Sequence, residues 1–225
     1  MALHPYSLDD SLNASERLHV AYKLATGASI LVGAISALLA TLTQYWPAIA
    51  ALAAPSTIIV YLSLVRAVES YLWNWKPARR LLGITLPDVN GTWTGQVATR
   101  RRDGVQIAGN TGRMTIKQTW STIGVEFETD RTCSHSIGAF FSLDAAHLIL
   151  TIEYRADVRK LHKEDPNVRA HRGTCRYRIR VKDGICDLDD IEVPYYTDHR
   201  ETGVITLRKN LIRILRHSHF WRNNG

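Results

Sequence analysis

Hydrophobic and polar positions follow two different patterns in the two parts of the chain. Residues 24–65 form a run of 42 positions without Asp, Glu, Lys, Arg or His. After Pro77 the pattern changes to alternation, in which Met114, Ile116 and further apolar residues occupy every second position. The first pattern is typical of membrane-spanning helices, and the second is typical of half-buried antiparallel strands. The sequence therefore predicts a membrane segment followed by a β-domain.

The apolar run is long enough for two crossings, because one helical crossing needs about 20 residues. Amphipathic aromatics and a proline at Gln44–Pro47 predict a break, with helices at about residues 22–45 and 48–67. Basic residues lie on both outer flanks of the run and none lies in the connecting turn. The positive-inside rule then places both termini and the β-domain in the cytoplasm of a multi-pass protein.

Small residues recur every four positions in the first predicted helix, from Ala25 through Ser29, Gly33 and Ala37 to Thr41. Small side chains at this spacing let helix backbones approach closely in lipid. Two interpretations stay open. Ser29, Gly33 and Ala37 form a seam for self-association, or the same face packs against the second helix.

The β-domain contains about eight predicted strands and a closing one, separated by turn signals such as Gly109-Asn110 and Asp183-Gly184. Their predicted ranges are 92–99, 104–108, 112–120, 123–129, 137–143, 146–154, 173–182, 185–193 and 203–209. The predicted fold is mainly β, an antiparallel up-and-down, lipocalin-like barrel of about eight strands preceded by a two-helix transmembrane hairpin. A barrel of this size either holds one small ligand or is filled by its own side chains.

These patterns predict five regions along the chain. They are an N-terminal cytoplasmic lead-in (1–21), two transmembrane helices (22–67), a linker (68–87), the cytoplasmic barrel (88–209) and a basic tail (210–225). In the tail, residues 211–216 read as a short basic amphipathic helix, which is typical of segments that lie on a membrane surface or pack on a domain. The arginines of 100–104 are expected at a hairpin tip, mostly in solvent.

The chain has 28 basic and 21 acidic residues, and the formal net charge is +7. Because residues 1–76 hold four of each sign, the whole excess lies in residues 77–225. Cys133, Cys175 and Cys186 have no metal-ligand spacing and are expected to be reduced thiols. No motif of a hydrolase, nucleotide triphosphatase or metalloprotease occurs. The sequence thus predicts no enzyme, no cofactor and no metal.

Several short motifs lie at the ends of predicted strands. They are Gly91–Gly95 (GTWTG), Lys117–Trp120 (KQTW), Thr132–Ser136 (TCSHS), His171–Gly173 (HRG) and Tyr195–Gly203 (YYTDHRETG). Together with the apolar N-terminal run, they make the chain resemble the membrane-anchored β-barrel receptors of CBASS, the bacterial anti-phage systems that signal through cyclic oligonucleotides. The resemblance covers the apolar run and about residues 88–208.

The resemblance implies a function that the alternation of residues does not give. A partner cyclic-oligonucleotide synthase makes a cyclic dinucleotide on infection, and the cytoplasmic barrel binds it. The receptor then forms a homo-oligomer, and its clustered helices disrupt the lipid bilayer of the bacterial inner membrane. The cell dies before the phage matures, which is abortive infection.

A site for a cyclic dinucleotide needs aromatic faces for two bases and cations or polar donors for two phosphates. The resembling motifs and their neighbouring strands supply nine candidates. Tyr154 and Tyr196 are expected to stack on bases, and Arg113 and Arg200 to meet phosphate. Hydrogen bonds are expected from Ser134, Ser136, Thr197 and Thr202, and His171 serves in either role.

Several candidates also have a structural interpretation. Tyr154 alternates with core residues, so it faces inward either as core or as a wall of the ligand site. Trp93 is expected to pack at the barrel floor, and Arg200 is a candidate to cover it.

Other functions remain open from the residues alone. One is a membrane-tethered, lipocalin-like carrier of an apolar ligand, which is favoured if Arg113, Arg200 and His171 lie outside the barrel. Another is a membrane-anchored interaction scaffold with a filled barrel. Binding of a nucleic-acid polymer is the weakest alternative, because the positive faces suit anionic lipid equally well.

Overall fold

The computed structural model describes residues 1–9, 15–43, 45, 56–100, 104–144, 147–165, 168–182, 185–187 and 189–209. The predicted break at Gln44–Pro47, most of the hairpin tip at 100–104 and the basic tail lie wholly or largely outside these residues. Two residue pairs near the N-terminus form the short strands β1 (His4–Pro5) and β2 (Ser7–Leu8). They are followed by helices α1 (Glu16–Thr43), α2 (Thr57–Ser70) and α3 (Lys76–Leu82), with a 3-10 turn at Leu72–Asn74.

Eight long strands close into an antiparallel barrel. Each strand pairs with the next along the chain, and β11 pairs with β3 through eight residue pairs to close the ring. The strands are β3 (Gly91–Arg100), β4 (Gln106–Gln118), β5 (Thr122–Thr129), β6 (Thr132–Asp144), β7 (His147–Val158), β8 (His171–Lys182), β10 (Asp190–Thr197) and β11 (Thr202–Lys209). The short strand β9 (Ile185–Asp187) adds to β8. The predicted eight-stranded up-and-down barrel is confirmed.

The two predicted strands 104–108 and 112–120 are one strand, β4. The predicted turn at Gly109-Asn110 is wrong, because Gly109 is an extra residue opposite the Val97/Ala98 step and has φ of 108°. A bulge with positive φ favours glycine, and it lets the strand continue past the irregularity. A second bulge lies in β6 between Ser136 and Gly138.

One end of the barrel, here called the helical end, is filled by apolar side chains. Trp93, Met114 and Phe141 are fully buried there, together with leucines and isoleucines of the neighbouring strands. The expected floor position of Trp93 is therefore found. The cation over its ring is the Lys209 ammonium, 5.9 Å from the ring centroid. Arg200, expected to cover it, lies instead in the exposed β10–β11 turn with φ of 60°.

The helices pack against the filled end through apolar side chains and two carboxylates. Val20, Leu24 and Val68 belong to the same buried cluster as the barrel floor. The buried Glu16 side chain accepts hydrogen bonds from the Thr85 amide, at 2.9 Å, and from the Thr85 hydroxyl. Glu69 in the last turn of α2 accepts hydrogen bonds from the Thr119 and Ser121 hydroxyls. The carboxylates of Glu16 and Glu69 therefore fix α1 and α2 at their barrel-side ends.

Among the described residues, α1 is the one helix long and apolar enough to cross a membrane. Its part beyond the barrel contacts, residues 25–43, is about 28 Å long, close to the thickness of a hydrocarbon core. The 14 described residues of α2 do not meet the same test, and residues 48–55 of the second predicted crossing lie outside the described chain. One apolar N-terminal helix therefore suggests a membrane anchor, and the hairpin stays a prediction.

Candidate functional site

The half of the barrel remote from the helices is hollow. A cavity of about 870 Å³ lies at this open end, which is formed by the β5–β6 turn, the β7–β8 loop and the β10–β11 turn. Ligand pockets in proteins usually measure about 300–1,000 Å³, so the cavity has the size of a small-molecule site. The barrel interior is therefore filled at the helical end and hollow at the open end.

Aromatic side chains with hydroxyl groups form the cavity wall. Tyr154, Tyr177 and Tyr195 point inward from β7, β8 and β10. The Thr99 and Tyr195 hydroxyls are hydrogen-bonded at 2.6 Å. Burial raises the pKa of all three phenols, so they remain neutral near pH 7. Neutral phenols offer an aromatic face and a hydrogen-bonding group without placing negative charge in the cavity.

Cationic and imidazole groups gather at the cavity mouth. Arg131 lies in the β5–β6 turn and Arg169 in the β7–β8 loop. The His171 ring meets the Tyr154 ring edge-on at 6.0 Å and the His199 ring at 6.1 Å. Glu201 is the carboxylate among the described lining residues. The mouth is therefore suited to anionic groups, whereas the wall behind it is aromatic and neutral.

Five of the nine predicted ligand residues line this cavity: Ser134, Ser136, Tyr154, His171 and Thr197. Ser136 is nearly buried, and its hydroxyl oxygen accepts a hydrogen bond from the Val125 amide at 2.9 Å. The Thr197 hydroxyl accepts from the Glu201 amide at 3.2 Å, which closes the β10–β11 turn. Both hydroxyls therefore have structural partners as well as access to the cavity.

The other four predicted residues lie away from the cavity. Tyr196 is 61% exposed because its neighbour Tyr195 takes the inward position of β10. Arg113 and Thr202 are exposed on outward positions of β4 and β11, and Arg200 is exposed in its turn. Successive side chains of a strand point to opposite faces, so Tyr196, Arg113 and Thr202 lie on the outer face of the barrel, opposite the cavity.

Several lining residues had been missed by the sequence reasoning. Tyr177 alternates with the arginines of β8, and this alternation is the sequence signal that it faces inward. Tyr195 was passed over for Tyr196. Arg131, Arg169 and His199 lie in turns and a loop, where no periodicity indicates which residues meet.

The described thiols, Cys133 and Cys175, are both free cysteines. Cys175 lines the cavity but is nearly buried, and burial raises its pKa to about 12, so the nucleophilic thiolate is disfavoured. Glu126, Glu128 and Cys133 cluster on the outer face within 4.8 Å of one another. Burial and the neighbouring carboxylates raise the pKa of Cys133 as well. The side chain of Cys186 lies outside the described set.

The small-residue face of α1 is exposed. Ser29, Gly33 and Ala37 are all exposed, and a side chain added at Gly33 would meet nothing within 4 Å. The opposite face, with Val20, Leu24 and Ala28, is the buried one. Both interpretations given above stay open, because residues 46–55 lie outside the described chain.

Comparison with known proteins agrees with this architecture. A search among curated proteins finds no significant match. The profile of the family described as "Cap15, cyclic dinucleotide receptor domain" matches residues 84–209. The match spans more than half of the chain and contains the whole barrel with its cavity, and it confirms the resemblance to CBASS receptors. The chain therefore belongs to the Cap15 cyclic dinucleotide receptor domain family.

Proposed function

We propose that the chain is a CBASS effector that binds a cyclic dinucleotide in the cavity at the open end of its barrel. One observation carries the proposal: within the matched receptor domain, a hollow of about 870 Å³ combines tyrosine faces in its wall with arginines at its mouth. A cyclic dinucleotide has two aromatic bases and two anionic phosphates, so each part of the ligand meets a complementary surface.

In the proposed binding mode, the bases lie against Tyr154 and Tyr195 inside the barrel. The phosphates lie toward Arg131 and Arg169, where solvent access lowers the cost of burying two negative charges. The Ser134 and Thr197 hydroxyls supply hydrogen bonds to the ligand edge. His171 contacts the ring of Tyr154 and lies between the two regions, so it is expected to orient the ligand.

The membrane step of the proposal rests on α1. Its exposed small-residue face, with Ser29, Gly33 and Ala37, suits close helix–helix contact between copies in the bilayer. Ligand promotes such assembly only if the assembled state binds it more tightly, and tethering to a membrane raises the effective concentration of copies. The proposed outcome is a homo-oligomer that disrupts the inner membrane and causes abortive infection.

The proposed setting follows from the positions of the two barrel ends. α1 leaves the helical end, so the cavity mouth faces away from the bilayer. Basic residues on both flanks of the apolar run favour a multi-pass topology with both termini in the cytoplasm. There the mouth meets a nucleotide released by a cyclic-oligonucleotide synthase, the proposed functional partner.

Titration calorimetry on the full chain in detergent micelles tests the binding step. The probes are cyclic di-AMP, cyclic di-GMP, cyclic GMP–AMP and cyclic di-UMP. We expect tight binding of at least one probe, and a loss of roughly 3- to 10-fold in affinity for Arg131→Ala or Arg169→Ala, since both contacts are exposed. Arg178→Ala, on the outer face of β8, is the matched control. Absence of heat with every probe would contradict the proposal.

A second function, carriage of an apolar ligand, is favoured by one observation. Arg113 and Arg200 lie outside the cavity, as that function requires, although His171 lines it. The two functions differ in their probes: displacement of an apolar fluorescent dye by a long-chain fatty acid, without effect of any cyclic dinucleotide, would support the carrier.

A further inference from the structure

The barrel has a seam, between β5 and β6, that its own eight strands close only in part. β5 and β6 share three residue pairs at the open end, Glu126–His135, Phe127–Ser134 and Glu128–Cys133, whereas β6 and β7 share twelve. Toward the helical end β5 and β6 diverge. The gap between them is occupied by residues 4–8, which lie far outside the family-matched range 84–209.

The N-terminal residues pair with both edges of the gap. His4 and Pro5 pair antiparallel with Ile123 and Thr122 of β5. Ser7 and Leu8 pair parallel with Phe140 and Phe141 of β6, and the Asp9 amide donates to the Phe141 carbonyl at 2.9 Å. Residues 4–8, here called the seam segment, therefore complete the wall that β5 and β6 leave open.

A side-chain relay joins the seam segment to the cavity. The His4 Nε2 atom is 2.7 Å from the Ser136 hydroxyl oxygen, which also accepts the Val125 amide hydrogen. His4 Nδ1 lies 3.0 Å from the Pro5 carbonyl, which only accepts, so Nδ1 carries the ring proton. Nε2 then accepts from Ser136. Because Ser136 and Val125 both line the cavity, His4 fixes the cavity wall from behind.

The other end of the seam segment is tied to α1. The Tyr6 ring is buried and meets the Phe141 ring edge-on at 5.1 Å, and its hydroxyl donates to the Trp120 carbonyl. Arg17, in the first turn of α1, donates to the Tyr6 carbonyl at 3.2 Å and lies 4.8 Å above the Tyr6 ring. Contacts therefore run without interruption from the cavity wall to the base of the apolar helix.

We propose that the seam segment is a working part of the receptor, completing the cavity wall and coupling ligand occupancy to the base of α1, with His4 as the positioning residue for Ser136. The inference rests on the proposed function, because it takes a cyclic dinucleotide as the occupant. A ligand that contacts the wall at Ser134 and Ser136 favours the closed seam. The closed seam in turn holds Tyr6, and through Tyr6 it holds Arg17.

Substitutions at His4 test the positioning role by calorimetry with the four cyclic dinucleotides on the full chain. His4→Ala and His4→Asn remove the acceptor at the Nε2 position, and we expect a loss of roughly 2- to 10-fold in affinity. His4→Gln places an amide oxygen at that position and is expected to restore binding. Ser7→Ala, an exposed change in the same segment, is the matched control.

A double substitution separates positioning from a general loss of stability. If His4 acts through Ser136, His4→Ala combined with Ser136→Ala loses no more affinity than Ser136→Ala alone. Additive losses, or wild-type affinity in His4→Ala, would overturn the positioning role. If His4→Ala fails to fold, restored binding in His4→Gln together with failure of His4→Asn to restore it still identifies the Nε2 acceptor.

Amide hydrogen exchange tests the coupling. With the tightest-binding probe, we expect the wild type to gain protection at residues 4–8 and 16–24 as well as in the strands around the cavity. His4→Ala is expected to keep the protection in the strands and lose it in the two N-terminal regions. Protection confined to the strands of the wild type would overturn the coupling and leave the proposed function intact. No binding by any probe would instead overturn the proposed function, and the inference with it.

Discussion

At the scale of single residues, Tyr154 tests whether an inward-facing tyrosine of the barrel binds ligand or only fills the core. Its ring is half-buried in the cavity wall, and burial raises the pKa of its phenol, so a neutral aromatic face is presented. Stacking of one base on an aromatic side chain contributes about 1–3 kcal/mol. We therefore expect Tyr154→Ala to lose roughly 5- to 150-fold in cyclic dinucleotide affinity by calorimetry, and Tyr154→Phe to lose little.

The same experiment has an internal control in another tyrosine. Tyr196 was expected to stack on a base, but it lies 61% exposed on the outer face of β10. Tyr196→Ala is expected to bind as the wild type does. Equal losses in Tyr154→Ala and Tyr196→Ala would contradict the assignment of the cavity as the site.

Gly173 makes room for the ring of Tyr154. A Cβ atom at this position would lie 2.3 Å from the Tyr196 carbonyl oxygen and 2.5 Å from the Tyr154 hydroxyl oxygen. Because the first obstacle is backbone, Gly173→Ala is expected to cost about 1–3 kcal/mol of unfolding free energy and to weaken ligand binding by displacing the ring. Urea unfolding and calorimetry measure the two effects.

Gly138→Ala is the matched control for that change. Its added Cβ would lie 3.6 Å from a Glu153 oxygen, an ordinary contact, and Gly138 is also in a barrel strand. If Gly138→Ala destabilises the chain as much as Gly173→Ala, the close approach at Gly173 is not the cause.

The prediction of Tyr196 as a site residue, where Tyr195 lines the cavity, shows which site residues alternation can predict. Ile191, Val193 and Tyr195 alternate with Glu192 and Pro194, so the inward parity of β10 is present in the sequence. The predicted strand ends at residue 193, so the alternation was not extended two residues further to Tyr195. Strand-borne site residues are therefore predictable, provided that the end of the strand is correct.

At the scale of elements, the barrel strands were predictable because period-two alternation survives along them. The prediction of a turn within β4 was wrong because a glycine in a bulge cannot be distinguished from a glycine in a turn by sequence. The seam segment was beyond prediction for a different reason. Two-residue strands have no period, and His4 pairs with a residue 119 positions away, Ile123.

The exposed face of α1 gives a prediction about the helix as an element. Gly33→Leu adds a large side chain where close approach of two copies requires a small one. We expect the variant to keep the cyclic dinucleotide affinity of the wild type, because α1 does not line the cavity, and to lose ligand-dependent dye release from proteoliposomes. A matched change at Ile30, Ile30→Leu, keeps the size of an exposed side chain on the same helix. Undiminished release by Gly33→Leu would remove this face from the mechanism.

At the scale of the whole molecule, the chain joins a filled barrel end to a hollow one. Alternation predicted the barrel, and the apolar run predicted a membrane anchor, but neither indicates where the interior is empty. That depends on the volumes of facing side chains: Trp93, Met114 and Phe141 fill one half, whereas tyrosines that stand along the wall leave the other half open. The mouth residues, brought together from two turns and a loop, depend on closure of the ring.

Burial of acidic protons in the folded molecule predicts loss of stability at alkaline pH. Burial raises the pKa of Cys175 from 9.0 to about 12 and that of Tyr177 well above 10.0. The unfolded chain therefore releases these protons first, and the folded state is favoured fully only below the unfolded pKa values. As pH rises above about 9, the unfolding free energy is expected to fall, by about 1.4 kcal/mol per pH unit for each group that only the folded state keeps protonated.

Two variants assign the fall to particular groups. Cys175→Ser keeps a hydrogen-bond donor to the Tyr177 hydroxyl but does not titrate in this range, so it is expected to reduce the slope between about pH 9 and 10. The raised pKa of Cys133 contributes to the slope that remains. Tyr177→Phe is expected to reduce the slope above about pH 10, to which the raised pKa values of Tyr154 and Tyr195 also contribute, and to leave the lower interval unchanged. Urea unfolding followed by tryptophan fluorescence at closely spaced pH values measures both slopes. A wild-type unfolding free energy that stays constant up to pH 11 would mean that burial does not raise the pKa values of Cys175 and Tyr177. It would contradict the buried positions of these two side chains.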